Sequence, residues 1–182
     1  MTDYTNLKLS IDGHTATVTL TNPPAHTWTM DSLPALKQLV TDLNANDDVY
    51  ALIIHGDGEK FFSAGADLNN FSDGDKGRAI SMAIVCGERI DAETALRIGL
   101  VEEVAAKGEG LQAAQALAKK VAKQSPVAVS YSKTLIQAAR NTPPAQNLIH
   151  EREAFVKLFD TNDQREGVQA FLEKRKPTWQ NK

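Results

Sequence analysis

The stretch FFSAGADL, Phe61 to Leu68, sets Ser63, Ala64, Gly65 and Ala66 in a row directly after a hydrophobic run. Small side chains cannot shield backbone N–H groups, and glycine takes a positive φ to turn the chain sharply. At the end of a buried strand, such a run makes a concave patch of bare main chain. Backbone N–H groups aimed at an oxygen that gains negative charge form an oxyanion hole. The same spacing also fits a plain tight turn followed by a helix capped by Asp67 or Ser72, because small residues serve turns for local reasons.

Other reactive residue types carry less. His14, His26, His55 and His150 are scattered, with no i,i+4 pairing and no carboxylate motif, so they read as surface or loop histidines rather than metal ligands. Cys86 sits in the apolar run IVC with no partner placed to activate it, and reads as a small buried hydrophobe. Ser63 lacks the G-x-S-x-G setting of a hydrolase elbow, and GDGEK lacks the spacing of a phosphate-binding P-loop. Trp28 and Trp179 read as packing or interface residues.

The elements that position FFSAGADL follow from hydrophobic periodicity. Leu7–Ile11 and Thr15–Leu20 alternate as strands around Asp12-Gly13, a hairpin signal. The loop TNPPAHTWT follows, its two prolines unable to continue a ladder. Leu33, Leu36, Leu39, Val40 and Leu43 recur at helical spacing, with Asp31 or Ser32 as cap. Tyr50–Gly56 is a continuous apolar run, as in a strand covered on both faces, and it leads into FFSAGADL.

The second half reads as helices. Asp91 is an N-cap and Gly99 a C′ stop, LVEEV reads as a short strand, and Leu111–Lys123 is amphipathic. Ser125-Pro126 starts a helix towards Arg140, and further helices cover Gln146–Phe159 and Asp163–Arg175.

Composition bounds the partners. The net charge of −3, with basic residues dispersed, disfavours nucleic acid, which selects a basic stripe. One cysteine excludes an intramolecular disulfide and a cysteine-rich metal site. With no apolar leader and no run of the ~20 residues a bilayer demands, the expectation is a cytoplasmic protein without membrane insertion.

The order TLTNPPA, a buried strand, GDGEKFFSAGADL, GERIDAETALRIGLVEEV and EGVQAFLEKRKPTW resembles the crotonase superfamily of enoyl-CoA hydratases and isomerases. That resemblance implies an α/β fold: a spiral of ββα units with C-terminal helices that build a homotrimer or a dimer of trimers. On this chain it divides residues 1–83, the N-terminal part of the ββα core, from the mostly helical residues 84–182. It implies acyl-CoA thioester substrates, with coenzyme A entering as part of the substrate and no separate cofactor or metal. Two backbone N–H groups would polarise the thioester carbonyl and stabilise an enolate, and hydration of a 2-enoyl-CoA is the reaction expected first. By position the first donor is Ala66. Ala64 turns its carbonyl to the adenine, and Gly65, Asp67 and Leu68 join it in binding coenzyme A. Ala25 and His26 lie along the coenzyme A path, and Phe171 and Lys174 reach it, often from a neighbouring subunit.

The resemblance also marks a gap. Family members carry a further buried strand, a Gly-Gly-Gly turn with the second donor, and two glutamates, none of which this sequence contains. DGDKGRAISMA runs straight into IVCGERIDAETALR, which sets the junction near Met82–Ile84. Glu88, Glu93, Glu102 and Glu103 follow it, and none is assigned as acid or base. Loss of one oxyanion donor typically costs ~10²–10³ in rate. Two alternatives therefore stand beside hydration. One is an internally deleted remnant that only binds coenzyme A or oligomerises; the other is different chemistry on the same scaffold, such as isomerisation, dehalogenation or thioester hydrolysis.

Overall fold

The computed structural model describes residues 4–67, 69 and 91–182. Among these, three strands and six helices follow in the order β1 (Leu7–Asp12), β2 (Thr15–Leu20), α1 (Ser32–Asn44), β3 (Ala51–Gly56), α2 (Ala92–Arg97), α3 (Gly110–Val121), α4 (Pro126–Ala139), α5 (Pro144–Leu158) and α6 (Asn162–Leu172). The chain forms two compact units, Met1–Ala118 and Lys119–Lys182. The expected junction near Met82–Ile84, together with Leu68, Ser72, Cys86 and Glu88, lies outside the described residues.

In the first unit, Asp12 pairs with Thr15 across a turn in which Gly13 takes φ 54°, closing the expected hairpin. β3 runs parallel to β2, from Thr15 opposite Ala51 to Leu20 opposite Gly56. Parallel neighbours need a crossover, and α1 supplies it. Alternation along β2 sends Ala16, Val18 and Leu20 inward, where they meet Leu39 and Leu43 of α1 with Tyr4 and Leu7. The Tyr4 hydroxyl donates to Asp42 Oδ2 at 2.6 Å, tying the start of this unit to the helix. Because β2 and β3 end side by side, the loops that follow them leave from the same end of the sheet.

Two local expectations are corrected. Neither Asp31 nor Ser32 caps α1 through its side chain: Thr29 Oγ1 accepts from Ser32 N at 3.1 Å, while the nearly inaccessible Ser32 Oγ accepts from Thr29 N at 2.8 Å. LVEEV forms no strand. Gly99, at φ 73°, reverses the chain after α2, and Leu100 N donates to Ala95 O at 2.8 Å, so the segment folds back on its own helix. The expected start of α2 holds, with Asp91 Oδ1 accepting from Thr94 N at 2.7 Å.

In the second unit, α4 packs on α5. Ser125 caps α4 by accepting from Ala128 N, and Thr161 caps α6 by accepting from Gln164 N. The buried Asp163 accepts from Ser125 Oγ at 3.2 Å and from Gln180 N at 2.7 Å, holding the C-terminal segment against the start of α6. Among the described residues no helix is long and apolar enough to cross a membrane.

Candidate active site

The loops after β2 and β3 are stitched together by main-chain bonds. Asp57 N donates to Leu20 O at 3.0 Å, extending the strand pairing by one step. Beyond it, Ala64 N donates to Ala25 O at 2.8 Å, Trp28 N to Gly65 O at 2.8 Å, and Asp67 N to Trp28 O at 2.9 Å. The last two define a parallel bridge between Trp28 and Ala66. The carboxyl ends of parallel strands, where such loops gather, are the usual ligand-binding edge of an open α/β sheet.

Along Ala64–Asp67 this stitching leaves one backbone donor without an acceptor among the described residues. A trans peptide holds its C=O and N–H in opposite directions. Gly65 O is pinned by Trp28 N–H, so the N–H of the same peptide, that of Ala66, points away from the loop pair. Its neighbours are occupied: Gly65 N donates to Ser63 Oγ at 3.1 Å, and Asp67 N to Trp28 O. Ala66 N–H has no acceptor among the described residues. Half-buried main chain seldom leaves a donor unpaired, and a donor so placed is equipped to meet an incoming oxygen.

Gly65 adopts φ 89°, and a Cβ added to it would meet nothing within 4 Å among the described residues. The glycine is therefore required by backbone conformation rather than by crowding from them. Gly56 is the opposite case. A Cβ there would lie 2.1 Å from Phe61 O and 2.7 Å from Phe62 O, so the loop after β3 crosses directly over the end of its own strand.

His26 departs from its reading as a surface or loop histidine in one respect: it lies in the loop, yet is only 6% exposed. Its φ is 51°, in the left-handed region that side chains rarely occupy. Its Nε2 lies 2.9 Å from Asp57 O. A carbonyl only accepts, so Nε2 carries the hydrogen. Ser63 Oγ donates to His26 O at 2.6 Å, while the same oxygen accepts from Gly65 N. Ser63 thus links the two loops, and its place two residues before a glycine, as in a serine turn, is the sequence signal for that role.

The remaining expected residues fall as follows. Ala25 and His26 sit in the first loop, and Ala64, Gly65, Ala66 and Asp67 in the second. Asp67 Oδ1 accepts from Asn69 N at 3.0 Å, a local turn bond. Phe171 and Lys174 belong to the second unit, at the end of α6. Phe171 is 82% exposed, and Lys174 takes φ 55° as the helix stops. Beside them Arg175 clamps Glu166 through paired bonds of 2.6 and 2.9 Å. That clamp and the Thr178 N–H draw the Glu166 carboxyl down to about 2. Among the described residues no group of three or more His, Cys, Asp or Glu side chains could hold a metal ion.

Comparison with known proteins fits this geometry into a class. The family model for enoyl-CoA hydratase/isomerase matches residues 75–182. A solved structure of DspI from Pseudomonas aeruginosa superposes with a TM-score of 0.89 and 40% identity, over 99% of this chain and 98% of that one. A probable mitochondrial enoyl-CoA hydratase of Dictyostelium discoideum is 36% identical over 107 residues, which is 59% of this chain but only 38% of the relative. The short-chain-enoyl-CoA hydratase of Clostridium acetobutylicum aligns at 25% identity over 253 residues, covering 96% of this chain and 97% of the relative. Since 96% of 182 residues is about 175, some 253 − 175, or about 78, alignment positions have no residue here. Because the match runs almost end to end in both proteins, most of the missing positions are internal to it. A mixed α/β chain with a small sheet and a helical C-terminal half has the crotonase fold. The protein belongs to the enoyl-CoA hydratase/isomerase family.

Proposed function

We propose that this protein binds acyl-CoA thioesters and polarises the thioester carbonyl on the backbone N–H of Ala66, in the manner of a 2-enoyl-CoA hydratase. The observation that carries this reading is the Ala66 N–H itself, turned outward by the bond that fixes its own peptide and unpartnered among the described residues. On this reading, carbonyl polarisation draws electron density from the conjugated double bond, water bonds to the β-carbon and gives up a proton, the enolate oxygen is held by Ala66 N–H, and a proton returned to the α-carbon completes the 3-hydroxyacyl thioester. Ala64 directs its carbonyl to the adenine, and Gly65 and Asp67 line the coenzyme A side of the turn. Ala25 and His26 border the coenzyme A path through their main chain, since the His26 side chain is engaged elsewhere. Phe171 and Lys174 of a neighbouring subunit meet the nucleotide end, with Lys174 as a mobile charge for phosphate. The proposed assembly is a homotrimer or a dimer of trimers.

Crotonyl-CoA tests this reading through loss of its conjugated thioester absorbance. Ala66→Pro deletes the donor without removing a ladder bond, since Ala66 N makes none among the described residues. It is expected to lower turnover by ~10²–10³. Turnover that survives the substitution intact contradicts the assignment.

A further inference from the structure

A buried imidazole with an unpaired nitrogen needs a reason to be where it is, and His26 is one. Its Nδ1 is inaccessible and has no hydrogen-bond partner among the described residues, while its backbone occupies the left-handed region. Buried polar atoms are nearly always paired, so an orphan marks a side chain retained for another of its contacts. That contact is Nε2–H to Asp57 O at 2.9 Å. Asp57 is fixed in turn, since its N–H continues the sheet onto Leu20 O. The imidazole therefore anchors the first loop to the end of the sheet. It lies against Gly56, where an added Cβ would come within 3.0 Å of His26 Cδ2, so the glycine makes room for it.

From His26 the connection runs to the donor peptide by two routes. Its carbonyl accepts from Ser63 Oγ at 2.6 Å, across 37 positions of sequence, and Ser63 Oγ accepts from Gly65 N at 3.1 Å. Its neighbour Ala25 accepts from Ala64 N at 2.8 Å. Both routes end on the residues whose conformation sets the direction of the Gly65–Ala66 peptide. We propose that His26 is a positioning residue for the Ala66 donor: Nε2–H locks the first loop to the sheet, and the His26 O–Ser63 Oγ–Gly65 N relay carries that registration to the peptide that presents the N–H. This rests on the reading of Ala66 as the oxyanion donor.

Butyryl-CoA labelled with ¹³C at the thioester carbonyl separates the two claims, because it has no double bond to hydrate. The wild-type protein is expected to lower the bound carbonyl stretching frequency, the signature of a hydrogen bond to that oxygen. His26→Ala is expected to bind butyryl-CoA with similar affinity by calorimetry while its stretch returns towards the free value. Its kcat for crotonyl-CoA is expected to fall by ~10-fold to 10²-fold with KM little changed, the scale of an ångström misplacement. His26→Gln, whose amide N–H reaches the Nε2 position, is expected to restore the stretch. A wild-type protein that leaves the stretch unmoved overturns the donor assignment, and the positioning role with it. A wild-type shift that persists in full in His26→Ala overturns the positioning role alone. Should His26→Ala lose its folded circular-dichroism signal, Ser63→Ala carries the test: loss of the shift supports the relay, and an unchanged shift overturns it.

Discussion

Ala66 and Gly56 occupy the two sides of the turn for different physical reasons. In the proposed function the main chain is the working group at Ala66, and its side chain only has to be small. At Gly56 the missing Cβ is the working feature, because Phe61 O occupies its place at 2.1 Å. Gly56→Ala is expected to destabilise the first unit by ~1–3 kcal/mol, the usual cost of overpacking, read as a lower urea midpoint. A midpoint unchanged from wild type contradicts the close crossing. At this scale the sequence was legible where chemistry follows from size: Ser63 to Ala66 announced exposed backbone. It was silent on His26 and Ser63 as partners, because their bond joins positions far apart and no periodicity records it.

Elements were legible where a repeating pattern met a stop signal. The hairpin turned at Asp12-Gly13, α2 stopped at Gly99, and α4 began at Ser125-Pro126, each from chemistry contained in a few adjacent residues. LVEEV has β-type residues but, among the described residues, no strand to pair them. The C-terminal segment was illegible as structure, since irregular chain has no period. It is held by side chains instead: Trp179 Nε1 donates to Lys123 O at 3.0 Å, and Thr178 N donates to Glu166 Oε1 at 2.6 Å. Within the first unit, Leu39 is fully buried at the interface of α1 and β2. Leu39→Ala is expected to cost ~2–5 kcal/mol in chemical denaturation.

The Arg175 clamp gives the C-terminal segment a pH dependence with a definite sign. Glu166 is held at about 2 in the folded chain, chiefly by its hydrogen bonds to Arg175, against an ordinary value of 4.5. Its contribution is therefore present above 4.5 and lost as pH falls through about 2. Trp179 fluorescence is expected to report loosening of the segment across that window. In Glu166→Gln the segment should be loose already at neutral pH, with that transition removed. An identical acid transition in the variant contradicts the assignment.

As a whole molecule, the chain has a small sheet and a helical C-terminal half on the crotonase fold while lacking about 78 positions of the alignment with its Clostridium relative. Order along the sequence made that legible, since the motifs before and after the junction both match while what relatives place between them does not. Assembly is a separate matter. The second unit exposes Phe171, Leu172 and Ile136 at 82, 73 and 66%, apolar surface of the kind that association covers. Sedimentation equilibrium is expected to give three or six times the chain mass, and a purely monomeric protein contradicts the proposed trimer. The most direct test of the central claim is the amide resonance of Ala66 in ¹⁵N-alanine-labelled protein titrated with butyryl-CoA. The Ala66 amide proton is expected to move downfield to saturation while that of Ala16, buried in the sheet, stays in place. An Ala66 resonance that remains unmoved as butyryl-CoA saturates its site contradicts the account.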